Sequence, residues 1–126
     1  MRTDPLAKRY ARALFELARE AEKTGPVLEE LRSFAAFLQK EGRIRAYLVS
    51  PEVAKKTKLE MVESLLSTRF SPMVKQFIKL LLEKGRQNYL GQIVEAYSQL
   101  HDKSIGRVRA RVFSAVPLQE TQMEQI

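Results

Sequence analysis

The sequence predicts an all-α fold, a six-helix bundle, followed by an isolated strand and a helix start belonging to a truncated second domain. Three observations carry that expectation. Apolar residues recur at helical spacing in successive segments up to about Gly106. Asp4-Pro5, Gly25-Pro26, Ser50-Pro51 and Ser71-Pro72 punctuate the chain where a helix would restart. After Gly106 the period changes, with Arg107, Arg109 and Arg111 alternating against Val108, Ala110 and Val112. The expected domains are therefore residues 1–106, the bundle, and 107–126, the start of a second domain.

The first helix, from Pro5 to Lys23, organises the rest. Thr3 or Asp4 serves as N-cap, and Pro5 takes the first position, where its missing N–H costs nothing. At about 100° per residue, Leu6, Tyr10, Ala13 and Leu17 form one stripe. Ala7, Ala11, Leu14, Ala18 and Ala21 form a second beside it, which Phe15 extends. Together they span roughly 200°, whereas a surface helix usually shows a stripe a little over 100° wide. Such a helix is either central in a bundle, or at its edge with a face kept for a partner.

Thr24-Gly25-Pro26 is expected to stop the first helix, with Gly25 supplying the C-terminal turn. The second helix starts at Pro26, points Val27, Leu28, Leu31, Phe34, Ala35 and Leu38 inward, and ends at Gly42. Phe37 lies off that face and needs a neighbour of its own. Arg43–Val49 suits one or two helical turns with Ile44, Tyr47 and Leu48 inward. Ser50 then caps a fourth helix with Pro51 at its first position. The lysines of its first half are solvated, and Leu59, Met61, Val62, Leu65 and Leu66 follow.

Ser71-Pro72 repeats the signal, and Gly85 ends the fifth helix. Its apolar surface is again roughly 200° wide: Met73, Phe77 and Leu80 form one stripe, Val74, Ile78 and Leu81 the next, with Leu82 beyond. The sixth helix starts near Arg86, buries Tyr89, Leu90, Ile93, Val94, Tyr97 and Leu100, and closes at Gly106. Residues 107–113 then read as a half-buried strand and 118–126 as the opening of a helix.

The bulk numbers narrow the function. A 126-residue chain that is 44% hydrophobic and 29% charged, with few Gly and Pro, has the composition of a folded helical domain. It has no Cys, so disulfides and thiolate metal sites are excluded. No stretch approaches the ~18 apolar residues of a membrane span. The net charge of +7 raises the prior for anionic partners, but the basic residues are spread along the chain and mixed with Glu. The single histidine, His101, suits a helix position better than catalysis. No phosphate loop, metal spacing or Ser–His–acid arrangement is present, so neither enzyme nor cofactor is expected. Lys55, Lys56 and Lys58 crowd the start of a helix, where the dipole disfavours cations. No aromatic residues interleave with Arg107, Arg109 and Arg111 as a base-stacking surface requires.

An ordered set of motifs resembles a known family. Tyr10-Ala11-Arg12-Ala13-Leu14-Phe15 is followed by Ser50-Pro51, Phe77-Ile78 with Leu81, Gly85-Arg86, and Ile93 with Tyr97. The set closes with Ala110-Arg111-Val112-Phe113-Ser114-Ala115-Val116-Pro117-Leu118. In this order they are similar to the delta subunit of bacterial rotary ATP synthases, the family of the mitochondrial oligomycin-sensitivity-conferring protein. The resemblance implies a non-catalytic stator subunit, peripheral on the cytoplasmic side of the bacterial inner membrane and not inserted in it. Its helical domain caps the catalytic head and binds the N-terminal helix of an alpha subunit between the first and fifth helices. A C-terminal domain, cut off here after Ile126, joins the stalk b subunit. Carried over residue by residue, the groove involves Tyr10, Ala13 and Leu80; the helical wheel adds Leu6, Leu17, Met73, Gln76 and Phe77. The competing readings are a bundle whose wide helices are simply central, and a basic helical module that binds nucleic acid.

Overall fold

The computed structural model describes residues 4–66 and 69–115. Among these the chain forms six α-helices and no strand: α1 (Pro5–Glu20), α2 (Thr24–Lys40), α3 (Gly42–Val49), α4 (Lys55–Leu66), α5 (Pro72–Glu83) and α6 (Leu90–Ala115). A single 3-10 turn, Gln87–Tyr89, leads into α6. α6 packs against α1 and α2, α4 pairs with α5, and α3 touches α2 and the 3-10 turn.

One continuous core holds these elements. The second stripe of α1 supplies Ala7, Ala11, Leu14, Phe15 and Ala18, and Ala21 is left exposed. The three core alanines are 0% exposed, and their small side chains let α6 approach closely. The Phe15 ring meets Tyr97 of α6 edge-on at 5.4 Å, a favoured aromatic geometry. Tyr97 is fully buried, and its hydroxyl donates to the Thr24 carbonyl at the start of α2 at 2.9 Å. Burial pushes that hydroxyl's pKa above the usual tyrosine range. Leu28, Leu31 and Phe34 of α2, Val62 and Leu66 of α4, Ile78 and Leu81 of α5, and Leu90 and Ile93 of α6 belong to the same interior. The periodic residues of α2 and α6 are thus buried or half-buried as expected, those of α5 likewise except for exposed Leu80, and Phe37 finds Leu65 and Phe70 along a surface cleft.

Several boundaries differ from the sequence expectation. α1 ends not at Lys23 but at Glu20, and its C-terminal turn falls on Glu22, in the left-handed region at φ 57°, rather than on Gly25. The Lys23 amide reaches the Ala18 carbonyl and the Glu22 amide the Arg19 carbonyl, the paired bonds of a Schellman turn. Gly25 lies inside the first turn of α2. α2 stops at Lys40, and Gly42 opens α3 rather than ending α2. Ser50-Pro51-Glu52 is a turn instead of a helix start, and α4 begins at Lys55. Lys58 is buried rather than solvated.

The strand expected over residues 107–113 is replaced by helix, because α6 continues to Ala115. Gly106 does not adopt the positive φ of a Schellman turn such as the one on Gly85, and the backbone keeps its helical course. A helix satisfies its own donors and acceptors, whereas a strand with no partner among the described residues leaves them unpaired. Gly106, the expected domain boundary, therefore lies within α6. The helix start expected at 118–126 lies outside the described residues.

Candidate partner-binding site

The two over-wide helices are fixed firmly at their ends. The Asp4 carboxylate accepts from the Leu6 amide at 2.8 Å and caps α1. The Asp4 amide in turn donates to Gln92 Oε1 of α6 at 2.7 Å. At the start of α5, Ser71 Oγ accepts from the Val74 amide at 3.5 Å, and Pro72 holds the first position. Ser71 is itself held by Glu30 of α2, whose Oε1 accepts from its amide at 2.9 Å and its hydroxyl at 3.1 Å. The far end of α5 closes with a second Schellman turn, this one on Gly85 at φ 68°. Lys55 adds a bond from Nζ to the Glu83 carbonyl at 2.9 Å. A cation that is ill-placed at the start of its own helix thus serves the C-terminus of another.

Rotation of α5 about its axis is set by α4. Glu63 bridges Lys75, at 3.1 Å, and Lys79. The hydrogen bonds from Lys79 and then Lys75 hold the Glu63 carboxyl below the usual carboxylate range. With Val74, Ile78, Leu81 and Leu82 buried, the Met73–Phe77–Leu80 stripe takes a different face.

The eight sequence-predicted residues fall into a graded series. Phe77 is buried; Leu6, Tyr10 and Met73 are half-buried; Ala13, Leu17, Gln76 and Leu80 are exposed. Neither helix takes the other as a main packing partner. Tyr10 and Phe77 nonetheless meet across the space between them, ring centroids 6.4 Å apart and planes at 73°. Leu17 is 57% exposed and Leu80 39%. Both belong to the few large apolar side chains exposed among the described residues, with Val49 and Ile105. The stripe that periodicity could not assign to the core of α1 is therefore the more exposed of its two, and it is joined to its counterpart on α5 by an aromatic contact.

Other candidates resolve differently. His101 is half-buried on α6, its ring 3.9 Å from where a Cβ on Gly25 would stand, and its Nδ1 has no hydrogen-bond partner among the described residues. No grouping of His, Asp and Glu among the described residues has metal-binding geometry. No described helix is long and apolar enough to cross a membrane. The side chains of Arg107, Arg109 and Arg111 lie outside the described ones. The sequence reading missed a 330 Å³ cavity between α2, α3, α5 and α6. Its lining residues carry ordinary core periodicity, so no pattern in the chain marks it.

The family model described as "ATP synthase delta (OSCP) subunit" matches residues 6–126. The chain belongs to the ATP synthase delta (OSCP) subunit family. Among relatives in this family, ATP synthase subunit delta of Citrifermentans bemidjiense is 35% identical over 127 residues, covering 100% of this chain and 71% of the relative. The same subunit of Desulfitobacterium hafniense is 32% identical over 121 residues, or 96% and 67% of the two chains. A chain in a cryo-EM structure of Polytomella F-ATP synthase, F1 head and rotor, shares the fold with a TM-score of 0.73 at 19% identity. That match covers 80% of this chain and 90% of the other. The bundle is therefore the fold of a rotary ATP synthase component.

Proposed function

We propose that the chain is a non-catalytic stator subunit whose bundle receives the N-terminal amphipathic helix of an alpha subunit between α1 and α5. In this role it helps hold the catalytic head against rotor torque. The observation that carries the reading is the apolar surface left on both helices, Leu17 on α1 and Leu80 on α5, together with the Tyr10–Phe77 contact that joins their stripes. A helix-in-groove site needs adjacent apolar stripes with a polar rim. The rim on α1 is supplied by exposed Arg9, Glu16 and Glu20, and that on α5 by Gln76 and Glu83. The complex places the chain peripherally, on the cytoplasmic side of the bacterial inner membrane. The stalk b subunit is proposed as a second partner, reached through a C-terminal domain rather than through the bundle.

Titration of an alpha-subunit N-terminal peptide, with amide shifts as readout, tests the site. Shifts should concentrate on α1 and α5 and depend modestly on salt. Leu80→Glu should weaken binding by about 2 kcal/mol or more, roughly thirtyfold. Absence of those shifts, with steeply salt-dependent binding to mixed-sequence DNA, would replace this reading with a nucleic-acid-binding one.

A further inference from the structure

The cavity between α2, α3, α5 and α6 lies away from the α1–α5 stripe, and none of the eight groove residues lines it. Its deep wall is Val62, Leu81 and Leu82, all closed to solvent. Its roof is α3, through Leu48 and Val49, and Val49 is 38% exposed, so the cavity opens to solvent beside that short helix. The polar groups in the lining are Gln39, Arg45, Gln87 and Asn88; no carboxylate is among them. An apolar cavity of about 150 Å³ suffices to bind benzene. This one, at 330 Å³, has room for an apolar body about twice that size.

We propose that this cavity is a binding site for small amphiphiles with one apolar chain and one anionic head, of which medium-chain carboxylates are the type. The head is assigned by charge: Arg45 is exposed, lines the cavity and meets no opposing acid there. Gln87 Nε2 donates to the Leu48 carbonyl at 2.8 Å, and its Oε1 is buried without a hydrogen-bond partner among the described residues. That same bond ties the roof to the 3-10 turn, so a bound chain would be covered by α3 without displacing the core. Val62, Leu81 and Leu82 give the tail a dry end, and burial of each methylene favours binding in proportion to the area removed from water.

Decanoate, below its micelle concentration, is titrated into the isotopically labelled chain. Amides of Leu48, Gln87 and Leu90 should shift and saturate, while those of Leu6 to Leu17 stay in place. Decylammonium, with the same tail and the opposite head, should bind more weakly. Ala35 lines the cavity from α2 and is half-buried, so Ala35→Leu should fill space and abolish the shifts. Should that variant fold poorly, Arg45→Gln on the surface remains, and it should weaken decanoate about two- to fivefold, the scale of an exposed ion pair. Three results would overturn the proposal: no saturable shift at the cavity amides, undiminished binding by a folded Ala35→Leu, or equal affinity for both head groups.

Discussion

Ala11 and Ala13 are two residues apart on α1, and the structure assigns them opposite fates. Ala11 is 0% exposed against α6, flanked by Ala7 and Ala18, which are equally closed. Ala13 is exposed, in the stripe with Leu17. Substitution by Leu adds the same three carbons at both places. At Ala11 the added volume has nowhere to go without pushing α6 off α1, and overpacking of this kind typically costs ~1–3 kcal/mol. At Ala13 it enters open space, and the change should stay within about 0.5 kcal/mol. Urea unfolding of the two variants, read at constant m-value, gives the comparison directly. Thermal midpoints should follow, since a loss of 1 kcal/mol lowers the midpoint of a small domain by about 4–8 °C. Ala13→Leu should also block the alpha-subunit peptide, which Ala11→Leu affects only through stability. If both variants lose stability alike, the Leu6–Tyr10–Ala13–Leu17 stripe is packed in the free chain and the groove reasoning fails.

Other expectations concern single bonds and backbone states. Glu22→Gly should stabilise the chain by about 0.5–1 kcal/mol, because Gly adopts the left-handed conformation without the penalty an L side chain carries. Gly85→Ala should cost ~1 kcal/mol for the same reason in reverse; an added Cβ would meet no atom within 4 Å, so the loss is one of backbone conformation. Tyr97→Phe removes the bond to the Thr24 carbonyl and should cost about 1 kcal/mol by denaturant unfolding. Glu63 is ionised more readily in the folded chain than its ordinary value of 4.5 implies, so its contribution is full above that pH and is lost as pH falls through the lowered value. Glu63→Gln should therefore reduce stability at neutral pH and flatten its loss on acidification, as followed by melts across that range.

The helices were legible in the sequence because their apolar residues repeat at 3.6; what surrounds each face was not. Periodicity marked two stripes on α1 but could not tell which would meet α6, since the reading depends on a neighbour distant in the chain. Ser50-Pro51 and Ser71-Pro72 show the same limit. After Pro72, buried Val74 falls in the first turn and Glu30 holds Ser71 from α2. After Pro51, Glu52 and Ala54 are exposed and Val53 is half-buried, so nothing in the core pins a turn before Lys55. At the end of α1 the left-handed residue was sought at the available glycine, but register places it at Glu22, three residues earlier. The alternating arginines after Gly106 suit a strand only with a partner to pair with; helix needs none. Of the candidate site, the two apolar faces were readable and their relative exposure was not.

α3 contributes one buried side chain, Leu48, and is held by α2 and by the Gln87 bond to the 3-10 turn. So few ties set a local limit on cooperativity. Its amide protons should exchange through a sub-global opening of lower free energy and weaker urea dependence than those of α1 or α6. Unfastening α3 breaks the Gln87 bond and exposes Leu48 while α1, α2 and α6 stay assembled. The bundle thus carries one element that can open on a faster clock than the domain unfolds, at the mouth of its internal cavity.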